Sequence, residues 1–252
     1  MGNATTVSEP VPEPSAEYLR PTEFLDFDSP SVLEFAEETT RGAKDPTERA
    51  VRLFYRVRDS IRYDPYRIGL GRETYRAGHV LAVRAGFCIP KANLLAASAR
   101  AVGIPSAIGL SDVVNHLCTE KLRRAMGGTD LFIHHGYALL YLDGRWIKAA
   151  PAFNIELCDK FGVLPTEFDG KSDALLQPMD SQGRRHMEYV TNHGVWSDFR
   201  HMEYVTNHGV WSDFPYERVV RDFQALYPET LFQQGGEGVR FEDERPLTKP
   251  TR

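Results

Sequence analysis

The chain has 252 residues, a formal net charge of -5 at neutral pH and 42% hydrophobic residues. This hydrophobic fraction is enough for a sizeable core in one domain, and the acidic balance argues against a nucleic-acid-binding surface. No apolar run approaches the ~18 residues that a membrane-spanning helix needs. We therefore expect a globular protein that binds neither nucleic acid nor a membrane.

The two ends of the chain differ in composition from its middle. Residues 1–20 are rich in Pro, Glu, Ser and Thr, and residues 233–252 begin with a glycine-rich stretch and end in charge and proline. Such segments cannot bury enough apolar surface to fold. We predict two disordered tails around one folded domain at 21–232.

Two helices are predicted before the first cysteine. Ser29 and Asp45 are each followed by proline, which is a typical helix start because proline fits the first helical position. Apolar residues at helical spacing continue to about Thr40 in the first helix and to about Ile61 in the second.

The next helix is predicted to begin at Cys88. The glycine at Gly86 leads into Cys88, and a helix-forming stretch follows until Val102, before Gly103 and Pro105 end it. A cysteine at a helix start is exposed to unpaired backbone N–H groups and to the helix dipole. Both favour the thiolate, which is the reactive form of cysteine.

The remaining elements predict an α+β fold. The Asp143-Gly144 pair is a strong hairpin signal between two apolar runs, so these runs form antiparallel strands. The predicted elements after the cysteine helix are a strand at Ser106–Leu110, a helix at Val113–Met126, strands at Leu131–Leu142 and Arg145–Ala150, and helices at Asn154–Phe161 and Tyr216–Tyr227.

A 15-residue segment occurs twice without change. Arg185–Phe199 is repeated as Arg200–Phe214, so the tandem duplication covers 185–214. Repeat folds normally contain several diverged copies, whereas two identical copies indicate a recent duplication. We expect one copy to occupy the native position and the other to form a tolerated insertion.

Three cysteines are present, namely Cys88, Cys118 and Cys158. This odd, sparse set argues against a disulfide framework and for a reducing, cytoplasmic compartment. Cys118 and Cys158 lie within apolar helical patterns and are expected to be buried. A zinc site built from Cys118 and the nearby histidines is disfavoured because their spacing matches no strong zinc pattern, so we expect neither metal nor cofactor.

Several motifs together resemble the bacterial transglutaminase-like superfamily. They are Gly86-Phe87-Cys88, Asn93-Leu94-Leu95, Gly103-Ile104-Pro105, His135 and the later Tyr141-Leu142-Asp143-Gly144-Arg145-Trp146, with Ile61-Arg62-Tyr63 upstream. The resemblance covers about residues 45–155, and flanking segments resemble a bacterial branch of that superfamily. It implies a papain-like core, in which the nucleophile helix packs on a small antiparallel sheet. It also implies that Cys88 is the nucleophile and His135 its base.

The third member of the family's catalytic triad is missing. The family has an aspartate before a proline at the end of the strand after the hairpin, and this chain has Ala150 there. A third residue normally orients the imidazole and stabilises its charged form. We predict Asp112 as the replacement because the strand that precedes it should end near His135, with Asn115 or Asn154 as weaker candidates. Asp112 as a simple helix cap remains an open alternative.

Three further residues are assigned to substrate binding. Tyr63 is a candidate oxyanion donor, although it is equally compatible with a core aromatic. Asn115 is expected beside His135. His134 is expected to point outward or line the rim, because adjacent side chains of a strand face opposite sides and only one of the two histidines can then meet Cys88.

The predicted function is cysteine-dependent acyl transfer through a thioester. Cys88 would attack an amide, thioester or peptide carbonyl, and the acyl group would pass to an amine or to water. The alternative is a catalytically silent transglutaminase-like module that binds a peptide or a small metabolite. Ala150 is the feature that favours this alternative. The oligomeric state cannot be inferred from the sequence.

Overall fold

The computed structural model describes residues 14–190, 207–233 and 240–246. It has the predicted α+β architecture, with helices packed around an antiparallel sheet. The helices are α1 (Pro30–Thr40), α2 (Pro46–Ser60), α3 (Ala77–Val83), α4 (Cys88–Ala101), α5 (Glu120–Ala125), α6 (Ile155–Phe161), α7 (Tyr216–Leu226) and α8 (Glu229–Phe232). The strands are β1 (Arg62–Tyr63), β2 (Ala85–Gly86), β3 (Ser106–Asn115), β4 (Leu131–Leu142), β5 (Arg145–Ala149), β6 (Met187–Tyr189) and β7 (Asn207–Trp211).

The helix starts before Cys88 agree with the sequence signals. Both α1 and α2 begin at the expected prolines, and the Asp45 side chain accepts a hydrogen bond from the Glu48 N–H at 2.8 Å. This bond satisfies one of the unpaired donors at the helix start. The side chains of α2 that face the core are apolar, among them the fully buried Leu53 and Phe54.

One sheet forms the centre of the domain. Its strand order is β5-β4-β3-β6, and β7 also pairs with β3. The β4–β5 hairpin turns at Asp143 and Gly144, which both have positive φ, as a tight hairpin turn requires. A small parallel pair, β1 with β2, lies directly before the Cys88 helix and places Gly86 beside Tyr63.

Helix α4 packs against β4 and is enclosed by α1, α2 and α3. Nearly every side chain of α4 after Cys88 is buried, including the polar Lys91 and Asn93. Lys91 donates to the carbonyl oxygens of Arg58 at 2.9 Å and Ile61 at 2.6 Å, so it ties the end of α2 to α4. The enclosed position of α4 fixes the location of its N-terminus relative to the sheet.

One element prediction was wrong. Residues from Val113 onward were expected to begin a helix, but β3 continues to Asn115, and only Glu120–Ala125 is helical. Strand β3 extends because it has pairing partners on both edges, β4 on one side and β6 with β7 on the other. Tertiary pairing here overrides local helix propensity.

The duplicated segment contributes strands from both of its copies. Met187–Tyr189 in the first copy pairs with β3 at residues 113–115, and Asn207–Trp211 in the second copy pairs with β3 at residues 108–111. This differs from the expectation that a single copy fills the native position. Residues 191–206, which contain the end of one copy and the start of the other, lie outside the described residues.

Parts of the predicted tails are ordered in the structure. Ala16–Leu19 forms a 3₁₀ turn, and its Tyr18 packs edge-on against Trp146 with ring centroids 5.1 Å apart. Near the other end, Phe241 is buried against Phe161 and Tyr63. Residues 1–13 and 247–252 lie outside the described residues.

Candidate active site

Cys88 is the first residue of α4, as the sequence predicted. It is partly exposed, whereas Cys118 and Cys158 are buried, and all three are free thiols. The backbone N–H groups of Gly136 on β4 and of Ile89 and Cys88 on α4 lie near its sulfur and act to lower its pKa. Cys88 is therefore the accessible thiol among the three, and backbone N–H groups surround it.

Gly136 allows the strand to reach the helix start. A Cβ atom at this position would lie 2.8 Å from the Ile89 Cα and 3.2 Å from the Ile89 nitrogen. Real Cβ atoms essentially never approach backbone atoms so closely, so only glycine fits here without movement. This contact brings the backbone N–H of Gly136 to the Cys88 sulfur.

Burial dominates the ionisation of the thiol. It raises the pKa of Cys88 to about 11, although the N–H groups of Gly136 and Ile89 act in the opposite direction. The expectation of a resting thiolate at the helix start therefore does not hold, because desolvation outweighs the backbone donors. Cys88 is a neutral thiol at neutral pH and needs a base when it reacts.

His135 supplies an imidazole next to Gly136. Its ring packs edge-on against Tyr189 of β6, with centroids 5.9 Å apart. Burial lowers the pKa of His135 to about 4, so the ring is neutral at pH 7 and can accept a proton. Its Nε2 is buried and has no hydrogen-bond partner among the described residues. In a catalytic triad, a carboxylate normally accepts a hydrogen bond from such a ring nitrogen and so orients the imidazole.

Strand β4 contains a β-bulge at His134, next to His135. The β3–β4 register shifts between Ser111 and Val113, and His134 has a φ of 57°, which lies in the left-handed region. The Asp112 carboxylate accepts the backbone N–H of His134 at 2.9 Å and so holds the bulge. Because the bulge breaks strand alternation, His134 and His135 both line the cavity that contains Cys88. The prediction that only His135 meets Cys88 stays a prediction.

His134 is anchored by a residue that the sequence reasoning missed. Its Nε2 lies 2.9 Å from Oδ2 of Asp222 on α7, and its ring packs on Phe223. Burial acts to raise the pKa of Asp222, but hydrogen bonds to His134 and Arg221 outweigh it, so this pKa is lowered. No local sequence signal links the two, because 88 residues separate them.

The predicted replacements for the missing aspartate have other partners. The Asp112 carboxylate accepts the backbone N–H of His134, and the Nε2 of His135 has no hydrogen-bond partner among the described residues. Asn115 accepts from the Leu117 N–H at 3.0 Å and closes the turn after β3, outside the cavity. Asn154 accepts from the Tyr63 N–H at 3.0 Å and donates to Glu156. Ala150 is fully buried.

The cavity beside the thiol is small and mainly apolar. Its volume is about 40 Å³. It is bounded by α5, β4, the C-terminal helices and the segment that precedes α4. Its lining residues are Tyr63, Pro65, Ile68, Phe87, Cys88, Leu122, Met126, Phe132, Ile133, His134, His135, Phe223, Tyr227 and Leu231.

Tyr63 is well placed to remain a hydrogen-bond donor in this cavity. Its ring packs edge-on against Phe153 at 4.7 Å and against Phe241 at 5.9 Å. Burial, followed by the nearby Cys88, raises the pKa of Tyr63 well above its usual value. The phenol is therefore protonated at neutral pH.

In the part of the chain that the structure describes, no group of three or more His, Cys, Asp or Glu side chains is arranged to hold a metal ion. Within the same residues, no helix is both long enough and apolar enough to cross a membrane.

Comparison with known families identifies the core of the chain. Residues 33–151 match the model of the transglutaminase-like superfamily, Transglut_core. This part of the chain is similar to that superfamily. The matched segment contains the Cys88 helix, β3, both histidines and the β4–β5 hairpin. The C-terminal helices that bear Asp222 and Phe223 lie outside it.

Two solved structures show a weaker likeness to the chain. One is a proposed cysteine protease from Cytophaga hutchinsonii, with 18% identity, a TM-score of 0.40 and coverage of 53% of this chain and 40% of that one. The other is a proposed protease from Parabacteroides distasonis, with 19% identity, a TM-score of 0.34 and coverage of 55% and 27%. The chain thus spans less than half of either structure. No curated protein matches the chain.

Proposed function

We propose that the protein catalyses acyl transfer through a thioester on Cys88. The observation that carries this proposal is the convergence on one cavity of an accessible thiol at a helix start, backbone N–H groups near its sulfur and a neutral imidazole. The match of the central segment to the transglutaminase-like superfamily supports a cysteine-dependent enzyme.

In the proposed first step, Cys88 attacks the carbonyl carbon of an amide, ester or thioester. The thiol proton moves to His135, which is neutral at pH 7 and can accept it. The Tyr63 hydroxyl and backbone N–H groups at the start of α4 stabilise the oxyanion. His135 then protonates the leaving group, and the Cys88 thioester remains.

In the second step an amine or water attacks the thioester. His135 takes the proton from the acceptor, and the Cys88 sulfur leaves as the thiol. An amine acceptor gives a new amide, as in a transglutaminase, whereas water gives net hydrolysis. A peptide, amide or thioester is accordingly the proposed substrate.

Asp112 has an indirect role in this proposal. Through the backbone N–H of His134 it holds the bulge that places both histidines at the cavity. We assign Asp112 as a positioning residue and His135 as the base.

The experiment is acylation followed by intact-protein mass spectrometry. Incubation with p-nitrophenyl acetate should add one acetyl group to the wild-type protein and none to Cys88→Ser, while the matched variant Cys118→Ser should behave as wild type. His135→Ala should slow the reaction strongly. Decay of the adduct with and without glycine ethyl ester then separates an amine acceptor from water.

Two results would contradict the proposal. Acetylation of Cys88→Ser at the wild-type rate would exclude Cys88 as nucleophile. Failure of the wild type to form any adduct, together with tight binding of a peptide or metabolite, would favour a silent binding module.

A further inference from the structure

The acyl-binding cavity has one wall that the transglutaminase-like segment does not provide. Phe223, Tyr227 and Leu231, on or beside the C-terminal helices, close it opposite β4. The Tyr227 hydroxyl accepts the Ile133 N–H at 2.9 Å and donates to the Leu131 carbonyl at 3.1 Å. Together with the Asp222–His134 contact, these bonds fasten α7 to β4, so the wall is fixed in place.

The size of the cavity limits the group that can enter. A buried water needs about 10–15 Å³ of such volume, and a cavity of about 150 Å³ accommodates benzene. The cavity beside Cys88 measures about 40 Å³, which corresponds to about three heavy atoms. An aromatic ring or a long chain does not fit within this volume, so its excess atoms would lie outside the cavity and bury no surface in it.

The lining also limits the charge of that group. Among the residues that the structure describes, no Asp, Glu, Lys or Arg side chain lines the cavity. His135 is buried, and His134 is already paired with Asp222. A carboxylate or an ammonium in the cavity would thus lose its water without gaining an opposite charge, which costs much more than burying a methyl group.

Resting on the proposed acyl transfer, we propose that the donor substrate carries a short, uncharged aliphatic acyl group of about two to four carbons. The carbonyl carbon bonds to the Cys88 sulfur while its bond to the leaving group breaks. The thiol proton passes through His135 to that leaving group, and the aliphatic chain enters the cavity. This substrate class differs from acyl donors with a charged or aromatic acyl group.

The first experiment compares acyl donors with one leaving group. Rates of Cys88 acylation are measured by mass spectrometry with p-nitrophenyl butyrate, p-nitrophenyl octanoate and the p-nitrophenyl monoester of succinic acid. Butyrate and succinate both have four carbons and differ by the carboxylate. Butyrate should react at least about tenfold faster than either competitor, as expected when a pocket rejects an unfavourable group by 1–3 kcal/mol.

The outcomes separate this inference from the function on which it rests. If the octanoate or the succinate ester reacts as fast as the butyrate ester, the proposed preference for a short, uncharged acyl group is overturned, but acyl transfer itself is not. Failure of every ester to modify Cys88 would overturn both. Equal rates in Cys88→Ser would show that the esters react elsewhere.

Enlarging the cavity tests its role directly. Met126→Ala removes buried volume from the cavity wall and should raise the octanoate-to-butyrate rate ratio by about tenfold. Leu157→Ala, which truncates an equally buried side chain away from the cavity, should leave the ratio unchanged. Ile133→Ala, at a half-buried lining position, repeats the test if Met126→Ala fails to fold. A ratio that stays constant in a folded cavity variant would overturn the assignment.

Discussion

At the scale of single residues, the site depends on a balance between burial and hydrogen bonding. Cys88 lies where a helix start should favour its thiolate, yet burial raises its pKa to about 11. The same burial lowers the pKa of His135 to about 4. The pair is therefore a neutral thiol beside a neutral imidazole, which suits base-assisted attack rather than a preformed ion pair.

This balance predicts the pH dependence of thiol alkylation. In a variant with only Cys88, made by Cys118→Ser and Cys158→Ser, the iodoacetamide rate should keep rising through pH 9 and be only half-maximal near pH 11, because the thiolate is scarce below its pKa. A thiol with an ordinary pKa would reach its plateau near pH 9–10. A plateau already at pH 7 would instead indicate a thiolate–imidazolium pair.

A second prediction concerns Asp112. Asp112→Ala leaves the buried His134 N–H without its acceptor, which should cost about 1–3 kcal/mol of the free energy of unfolding and slow Cys88 acylation. Asp112→Asn retains an acceptor oxygen and should therefore retain most of the free energy of unfolding and most of the acylation rate. Denaturation in urea and the p-nitrophenyl acetate rate provide the two readouts. Equal behaviour of the two variants would show that the bulge does not need this acceptor.

At the scale of elements, the active site depends on the close approach of β4 to the start of α4. Gly136 is the contact point because any side chain there would collide with Ile89. The approach supplies the backbone N–H that reaches the Cys88 sulfur. A displacement of the strand would therefore remove a donor and move His135 at the same time.

The corresponding prediction is that Gly136→Ala impairs the enzyme more than a comparable glycine substitution. The new methyl group would lie 2.8 Å from the Ile89 Cα, so strand and helix must separate. We expect Cys88 acylation to fall at least about a hundredfold, as misplacement by about 1 Å can cause. The matched variant is Gly71→Ala, where a Cβ meets nothing within 4 Å and φ is negative. Equal rates in the two variants would refute the close-approach argument.

The duplicated segment predicts another element-scale result. Deleting either copy gives the same sequence. In that sequence the asparagine that corresponds to Asn207 follows the tyrosine that corresponds to Tyr189 by three residues. Their partners on β3, Ser111 and Val113, are two residues apart. One copy can therefore run along β3 as one nearly continuous strand with a single extra residue, as in a bulge.

We accordingly expect the deletion of residues 200–214 to leave the fold and Cys88 acylation intact. Circular dichroism, thermal unfolding and the acylation rate would check this. The control deletes 187–189 alone, which removes the β6 pairing and should destabilise the protein. Loss of folding on deleting a whole copy would mean that the second copy is structurally required.

At the scale of the whole molecule, the sequence predicted the α+β class, the helix starts at Pro30 and Pro46, and the cysteine helix. It did not predict that β3 continues past Leu110 to Asn115, because the last residues of the strand pair with Met187–Tyr189, which lie far along the chain. Asp222 was also missed, since its contact with His134 spans 88 residues. Local patterns specify elements, whereas such long-range contacts complete the site.

The buried histidines make the stability of the whole domain dependent on pH. Burial lowers the pKa of His135 and of His186 to about 4, and both rings are at least 96% buried. Both pKa values lie below the unfolded value of about 6.5, so between pH 6.5 and 4 the unfolded chain binds more protons than the folded one. The stability that these rings contribute is therefore present above pH 6.5 and is lost as pH falls toward 4.

Between pH 6.5 and 4, each of these two histidines should lower the free energy of unfolding by up to about 1.4 kcal/mol for each unit that the pH falls. Urea denaturation at several pH values between 6.5 and 4 measures this slope. His186→Gln, which removes a ring stacked on Phe153 outside the cavity, should reduce the slope by about one proton and leave Cys88 acylation unchanged. His135→Gln should reduce the slope equally but also slow acylation, because that ring is the proposed base. An unchanged slope in either variant would mean that burial does not lower the pKa of that imidazole in the folded protein.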